Sequence, residues 1–262
     1  MGGKRKDLDI NQIINLYKDN WSASKISRLL KVDVVTITSR LRENNIEVKK
    51  HRKYLINKNY FSKINDQNKS YWLGFLMADG YNSDKYIRID IQDNNHLDKL
   101  RDEVYINNDM PVRQKKSKTG KTVYYLTIQD KQIIQDCEKW GIVNKKGFIC
   151  QYPNIDVDYD IPFIRGVFDG DGSLSYSMDG NYRRYAFSIV GSKKIIKQVI
   201  EKISVIGVNV KFRKMKSIYG LYVRGNRQII KVLEWLYNES DIHLDRKYEK
   251  YQDMLEWYKN KN

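Results

Sequence analysis

Two carboxylates alternate with glycines directly after an apolar segment in "FIRGVFDGDGSLS", residues 163–175. Apolar side chains at helical spacing lead into Asp169, Gly170, Asp171 and Gly172, so the segment predicts a buried helix that ends on acidic residues. The negative end of the helix dipole disfavours a carboxylate there by about 0.3 to 1 kcal/mol. Because a bound divalent cation would reverse the sign of that effect, these residue types predict a metal site.

A second copy of this pattern lies upstream in "YWLGFLMADGYNS", residues 71–83. Small residues stand four apart in both copies, which lets two helix backbones approach closely. If the two helices pair, Asp79 and Asp171 lie side by side at their ends, each followed by a glycine suited to a left-handed cap. At an offset of 92 the copies share Gly74 with Gly166, Asp79 with Asp171, Gly80 with Gly172, and Ser83 with Ser175, and the small pairs are Gly74 with Ala78 and Gly166 with Gly170.

Magnesium suits such a site best, because Mg²⁺ takes carboxylates and waters and can activate water against a phosphodiester. Mn²⁺ or Ca²⁺ could occupy the same ligands. A calcium-binding loop counted from Asp169 would need Glu at its twelfth position, which is Gly180 here. A single Asp-Gly pair is most often a turn, but the repeat of the whole pattern favours the metal site.

The elements around the two acidic motifs also repeat. Strand-like alternation in "YIRIDIQ", with apolar Ile87, Ile89 and Ile91, follows the first motif, and "RRYAFSIV" follows the second. Each copy then continues as helix, two strands and helix, and the closing helices "DKQIIQDCEKWGI" and "NRQIIKVLEWLYN" match closely. The sequence therefore predicts an α+β duplication with pseudo-twofold symmetry, whose halves span 69–145 and 161–262 and are joined by a linker at 146–160.

The chain of 262 residues carries 48 Lys and Arg against 32 Asp and Glu, a formal charge of +16. That excess predicts a polyanionic partner. The sequence lacks an apolar run of membrane-spanning length or a secretory signal, so we expect a soluble, intracellular protein, cytoplasmic or associated with a nucleoid. Two cysteines and three histidines favour neither a disulfide framework nor a histidine metal site.

Residues 8–47 have the spacing of three short helices, with Ser24 as the expected N-cap of the second and a turn at 31–33 before the third. This plan predicts a helix-turn-helix DNA-binding domain over 1–53, including the basic tail "KKHRK". An ordinary three-helix packing unit is the alternative. Residues 54–68 are polar without a long period, and we expect a linker. The polar side of the third helix offers Thr36, Thr38, Ser39, Arg40 and Arg42.

The strand faces directed away from the core are rich in groups that contact nucleic acid. Arg and Gln suit bidentate contacts to base edges, and Lys suits phosphate. A merely solvated sheet face is the alternative for any single residue. The candidates are Arg88, Gln92, Arg113, Lys115, Tyr125 and Gln129 in the first copy, and Arg184, Ser188, Lys211, Arg213, Tyr222 and Arg224 in the second.

The segments "WLGFLMADG" and "IRGVFDGDG" resemble the two signature helices of LAGLIDADG homing endonucleases, in the single-chain form with an appended helix-turn-helix. The resemblance covers residues 69 to about 250. It implies an αββαββα domain in each half, a saddle of two sheets over a long asymmetric double-stranded DNA site, and Mg²⁺-dependent cleavage of both strands to staggered ends. The chain would act as a monomer.

The family's metal-binding acids match Asp79 and Asp171, and the preceding Ala78 and Gly170 would offer backbone carbonyls. Asp169 falls on an earlier, chiefly structural acidic position, where the first copy has Met77. A polar group after the first motif strand matches Gln92, for which Gly191-Ser192 offers no equivalent amide. Late lysines match Lys146 and Lys247, with Lys145 and Arg246 one residue away as alternatives.

Three other functions are consistent with parts of this pattern. The first is a DNA-binding regulator, or a maturase bound to intron RNA, that kept the fold and lost cleavage, although a pure binder has no reason to keep two poorly placed carboxylates. The second is an intein remnant, which lacks the opening Cys or Ser and the closing His-Asn. The third is a structural module with basic surfaces.

Overall fold

The computed structural model describes residues 8–19, 21–48, 54–106, 110–144 and 150–261. The chain divides into two units, Met1–Lys53 and Tyr54–Asn262, each with its own apolar core. Among the described residues, none of the helices combines the length and the apolar composition that crossing a bilayer requires.

The N-terminal unit contains three helices, α1 (Ile10–Lys18), α2 (Ala23–Leu30) and α3 (Val34–Glu43). The turn between α2 and α3 is tight, since Lys31 adopts a left-handed φ of 51° and Asp33 already caps α3. These helices are compatible with the predicted helix-turn-helix. The expected N-cap of α2 was wrong, because Ser22 rather than Ser24 accepts the hydrogen bond from the Lys25 amide. The core consists of Ile13, Tyr17, Ile26, Ile37 and Leu41.

The larger unit contains the predicted duplication, and each copy has the order αββαββα. The first copy comprises α4 (Gln67–Asp79), β1 (Gly80–Asn82), β2 (Ile87–Ile91), α5 (Asn94–Val104), β3 (Arg113–Lys116), β4 (Thr122–Ile128) and α6 (Lys131–Lys139). The second comprises α7 (Asp160–Asp171), β5 (Gly172–Asp179), β6 (Tyr182–Gly191), α8 (Lys193–Ser204), β7 (Val210–Met215), β8 (Ile218–Arg224) and α9 (Asn226–Tyr237). An additional helix, α10 (Asp245–Lys261), follows.

Each copy forms a four-stranded antiparallel sheet, in the orders β1-β2-β4-β3 and β5-β6-β8-β7. In β2 the buried Ile87, Ile89 and Ile91 alternate with Arg88 and Asp90, as the period of a half-buried strand requires. The apolar faces pack against the helices, which leaves the opposite faces exposed. The predicted α+β fold class is therefore confirmed.

Residues 54–68 differ from the linker that their polar composition predicted. Tyr60 and Phe61 are buried in the core of the larger unit, and Ile56 forms an isolated bridge with Tyr105. The indole of Trp140 also donates a hydrogen bond to the carbonyl of Phe61 at 2.7 Å. A few buried aromatic side chains attach this segment to the core of the larger unit. Their spacing in the sequence has no regular period, so the sequence did not predict it.

Candidate metal centre and nucleic-acid interface

Helices α4 and α7 pack with their backbones in direct contact at the glycines. A Cβ added to Gly74 would lie 2.1 Å from the carbonyl oxygen of Phe163, and one added to Gly166 would lie 2.1 Å from that of Tyr71. Side chains larger than hydrogen do not fit at such distances. The predicted close helix pair is therefore confirmed, and the two backbone contacts are reciprocal.

The same packing continues to the ends of the two helices. A Cβ added to Gly170 would lie 2.4 Å from the Cβ of Ala78 and 3.6 Å from the carboxyl carbon of Asp79. Asp79 and Asp171 are the last residues of α4 and α7, and both are exposed. Ala78 and Asp171 also line one small cleft of about 80 Å³, together with Gly191 at the end of β6. The two acidic helix ends therefore adjoin, as the spacing predicted.

The glycines after the two aspartates do not form the left-handed caps that we expected. Gly80 has a φ of −71° and Gly172 a φ of −89°, both in the extended region. Space explains them instead, because an added Cβ would lie 2.5 Å from the carbonyl oxygen of Leu76 or 2.2 Å from the ring of Phe168. Each glycine lets the chain turn from helix to strand against its own last turn.

Lys247, one of the two predicted pocket lysines, is 4% exposed. Its ammonium donates to the backbone carbonyls of Phe168 at 2.5 Å and Gly172 at 2.6 Å, at the C-terminal end of α7. Burial lowers the pKa of Lys247 to about 8, against the attraction of Asp169 and, more weakly, of Asp79 and Asp171. A positive charge therefore stands behind the carboxylates, where it offsets the negative helix end. Lys146 and Lys145 lie outside the described residues.

Asp169 belongs to a buried hydrogen-bond network beneath the helix pair. Its carboxylate accepts hydrogen bonds from the hydroxyls of Tyr71 at 2.9 Å and Tyr237 at 2.8 Å, and from the amide of Leu244 at 2.8 Å. Burial raises the pKa of Asp169, while these donors favour the charged form. The network ties α4, α7, α9 and the start of α10 together, so Asp169 has a structural role and stands apart from Asp171.

His96 extends this network on the side of the first copy. Its Nε2 lies 2.9 Å from the hydroxyl of Tyr71. Because that hydroxyl donates to Asp169, Nε2 of the histidine carries a proton and donates to the hydroxyl oxygen. Burial lowers the pKa of His96 to about 3.

The donors at the adjoining helix ends fit a hard divalent cation. Among the described residues, no group of three or more His, Cys, Asp or Glu side chains could hold a metal. Any ion at the helix ends would therefore have two carboxylates, backbone carbonyls and water as ligands. That donor set is typical of Mg²⁺ and excludes a zinc site of the usual kind.

The exposed face of the first sheet carries the side chains predicted to contact nucleic acid. The β-sheet register places Asp90 opposite Tyr125 and Tyr125 opposite Arg113, so these residues share one face. Arg88, Arg113 and Gln129 line an open cleft of about 270 Å³ on that face, and Lys115 is exposed beside it. Gln92 is exposed directly after β2, at the strand end nearest the end of α4.

The second sheet presents its predicted residues in the same way. Ser188 and Lys211 both lie opposite Tyr222, and Arg224 lies opposite Ala186. Arg184 forms an ion pair with Asp179, and both line a cleft of about 590 Å³ with Arg224. Arg213 is exposed on β7. All six predicted side chains therefore share the exposed face.

The N-terminal unit shows which predicted residues of α3 are available to a partner. Arg42 is exposed, whereas Arg40 is paired with Glu43 at 2.8 Å and the Thr38 hydroxyl donates to the carbonyl of Val35. Thr36 and Ser39 are half-buried. Val35, at 65% exposure in the first turn, is a feature of this surface that sequence reasoning missed.

Comparison with known proteins places these features in context. Residues 162–251 match the WhiA LAGLIDADG-like domain. Full-length DUF199/WhiA from Thermatoga maritima has a similar structure, with a TM-score of 0.48 at 17% identity over 77% of this chain and 65% of that one, so this chain spans less than two thirds of its length. A comparison with curated proteins finds no match.

Two DNA-bound structures also resemble the chain. I-AabMI, a LAGLIDADG meganuclease bound to uncleaved DNA, has a TM-score of 0.50 at 13% identity over 73% of this chain and 91% of that one. The I-LtrWI LAGLIDADG homing endonuclease, bound to target DNA, has a TM-score of 0.50 at 13% identity over 78% of this chain and 92% of that one. The two αββαββα repeats are therefore similar in fold to LAGLIDADG domains, and likeness at this identity concerns the fold alone.

Proposed function

We propose that the chain is a sequence-specific DNA endonuclease that cuts both strands of a long, asymmetric site and leaves staggered ends. One observation carries the proposal. The exposed carboxylates of Asp79 and Asp171 end two helices whose backbones touch, and a sheet with a polar, basic face follows each helix. Carboxylates placed against the helix dipole are unfavourable unless a cation or a reaction uses them.

The residues at the helix ends have distinct roles in this proposal. Asp79 and Asp171, with the carbonyls of Ala78 and Gly170, would hold Mg²⁺, which when bound supplies activation of water and stabilisation of the leaving oxygen. Lys247 fixes the last turn of α7 through two carbonyls and so positions Asp171. Gln92 and Lys146 are proposed to complete the polar surroundings of the scissile phosphate.

Double-stranded DNA is the proposed partner of both units. The formal charge of +16 favours a polyanion, and the exposed sheet faces supply Arg, Lys, Gln and Tyr for phosphates and base edges. The helix-turn-helix adds flanking contacts through α3. Because one chain carries both acidic motifs, we propose that it acts as a monomer.

A second candidate is a protein that binds nucleic acid on this fold without cutting it, either as a DNA-binding regulator or as a maturase on intron RNA. The match to the WhiA LAGLIDADG-like domain supports it, because such a domain need not belong to a homing endonuclease. Lys247 supports it as well. Its buried ammonium stabilises the negative end of α7 without any metal, which gives the acidic motif a structural reason to persist.

Sequencing the ends of cut DNA distinguishes the two candidates. We expect the full chain, incubated with a library of duplex sites and Mg²⁺, to cut one site in both strands. Asp79→Asn and Asp171→Asn should each lower cutting by about a hundredfold or more, since even outer-shell partners of a metal are worth 10- to 100-fold. Glu201→Gln removes the same charge on α8, behind the sheet, and should cut normally.

Each other outcome has a definite meaning. Cutting that persists in both Asp variants would overturn the assigned site. Selective DNA binding without cutting, in any divalent cation tested, would favour the non-cleaving regulator. Intron RNA that co-purifies with the chain, and whose binding does not change in the Asp variants, would favour the maturase.

A further inference from the structure

The side chain of Arg88 is held rigidly on the exposed face of the first sheet. Its Nε donates to the carboxylate of Asp90 at 2.7 Å, and its guanidinium carbon lies 3.8 Å from the centre of the Tyr125 ring. Arg88 and Asp90 are two residues apart on β2, and Tyr125 lies directly opposite Asp90 on β4. The arginine is therefore fixed both in its plane, by the carboxylate, and against its face, by the ring.

The contacts of Asp90 leave one edge of the guanidinium available. Lys115 takes the second carboxylate oxygen at 2.8 Å, so both oxygens of Asp90 are engaged. In the part of the chain that the structure describes, no hydrogen bond uses either terminal nitrogen of Arg88. The two terminal amino groups thus form a preoriented pair of donors beside an open cleft.

A carboxylate is unfavourable on a surface that receives phosphates, because it repels them. Asp90 nevertheless stands 38% exposed in the middle of a basic face. The orientation of Arg88 accounts for this carboxylate, because a guanidinium that is already fixed loses less conformational entropy on binding than a freely rotating one. Among the bases, guanine presents two acceptors, N7 and O6, on its major-groove edge, which match two parallel donors.

We infer that Arg88 reads a guanine in the major groove, with Asp90 and Tyr125 as its positioning residues. This inference rests on the proposed binding of double-stranded DNA and adds the identity of one base in the site. It is independent of whether the helix ends cut.

The arrangement of Arg88, Asp90 and Tyr125 occurs only in the first copy. Ile89 lies opposite Gly80 and Ile189 opposite Gly172, so these two isoleucines hold equivalent positions. By the same register, Arg88, Asp90 and Tyr125 correspond to Ser188, Val190 and Gly220, which offer neither a guanidinium nor a carboxylate nor a ring. The guanine should therefore occur in one half of the site without a counterpart at the symmetry-related position.

Selection of bound sequences from a random duplex library, in EDTA so that no cleavage occurs, tests the inference with the full chain. The wild type should select guanine at one position of one half-site. Replacement of that base should weaken binding by about 5- to 150-fold, the range of one bidentate contact. Arg88→Lys keeps the charge but lacks the planar pair of donors that stacks on Tyr125, so its preference for guanine should weaken at that position alone.

The carboxylate variant separates positioning from mere support of the fold. Asp90→Asn should bind non-specific duplex more tightly, because a negative charge is gone, while its preference for guanine falls. A general loss of folding would instead lower both. 7-Deazaguanine lacks the N7 acceptor. A duplex that carries it at the selected position should bind the wild type less tightly than the guanine duplex does, and this loss of affinity should be smaller for Arg88→Lys.

Arg101→Lys and Asp102→Asn are the matched controls. Arg101 is also held by carboxylates, but it lies on α5, which packs on the other face of the sheet. Both controls should select the wild-type site. If the wild type selects no sequence at all, the proposed function falls together with this inference. If it selects a site that Arg88→Lys selects equally, or if Arg88→Lys changes a base other than guanine, the inference alone is wrong.

Discussion

Asp169 and Asp171 are two residues apart and lie in opposite environments. Asp169 is fully buried and holds three hydrogen bonds, whereas Asp171 is exposed at the helix end. The sequence predicted this separation, because Asp171 has a counterpart in Asp79 and Asp169 does not. It did not predict the partners of Asp169, since Tyr237 and Leu244 are remote in the chain and reach it only through the packing of α9 and α10.

The surroundings of Lys247 were also only partly predictable from the sequence. Its position near the end of the second copy was predicted, but the burial of its ammonium against two backbone carbonyls was not. A lysine between polar neighbours in a sequence is most often solvated. Only the packing of α10 against the end of α7 shows that this one is enclosed.

His96 makes the stability of the larger unit depend on pH. An unfolded histidine titrates near pH 6.5, whereas burial lowers the pKa of folded His96 to about 3. Between these values the unfolded chain holds the additional proton, so stability falls as the pH drops below 6.5. From pH 7 to pH 5 we expect the wild type to lose about 2 kcal/mol more unfolding free energy than His96→Gln.

Urea denaturation at the two pH values, followed by circular dichroism, measures this difference. His243→Gln is the control, because His243 is only partly buried and its pKa is lowered less strongly by its surroundings. Its effect on the pH dependence should be smaller. Parallel pH dependence in the wild type and His96→Gln would contradict the buried, neutral state of this histidine.

At the scale of elements, the helix pair α4 and α7 was the most predictable part of the fold. The spacing of the small residues predicted this pair, because the close backbone contacts at Gly74 and Gly166 leave no room for a larger side chain. Strands were predictable where one face is apolar, as in β2 and β6, because alternation reveals them. The residue pattern did not predict β1, β5 or α10, because β1 is three residues long, β5 buries only Leu174, and α10 has a mixed composition. A first strand in each copy was implied by the resemblance alone.

Gly166→Ala tests the helix pair directly. The new Cβ would meet the Tyr71 carbonyl at 2.1 Å and the Phe75 amide at 2.8 Å, so the backbones must separate. Overpacking of a core typically lowers stability by about 1 to 3 kcal/mol. That loss should exceed the gain of about 1 kcal/mol that alanine brings to a helix interior.

Gly191→Ala is the matched control, because its Cβ would lie 3.6 Å from the side chain of Ile196, an ordinary contact. Equilibrium unfolding in urea should show a clear loss for Gly166→Ala and a change within about 0.5 kcal/mol for Gly191→Ala. Wild-type stability in Gly166→Ala would show that the two helices are not in backbone contact.

At the scale of the whole molecule, the two copies repeat the same scaffold and differ in the side chains on their exposed faces. The two copies share the helix ends, the sheet order and the exposed basic faces. They differ in the groups that would meet bases, as Arg88, Asp90 and Tyr125 against Ser188, Val190 and Gly220 show. A repeated scaffold with two different exposed faces suits a DNA site without symmetry. In the proposed function, Asp79 and Asp171 act on the middle of that site.

The position of the cuts within the DNA footprint shows whether Asp79 and Asp171 form the reactive centre. We expect the wild type with Mg²⁺ to cut both strands in the central base pairs of the stretch that the two sheets protect. Asp171→Asn should protect the same stretch without cutting it. Cuts outside the centre of that stretch, or equal cutting by Asp171→Asn, would contradict the assignment of Asp79 and Asp171 as the reactive centre.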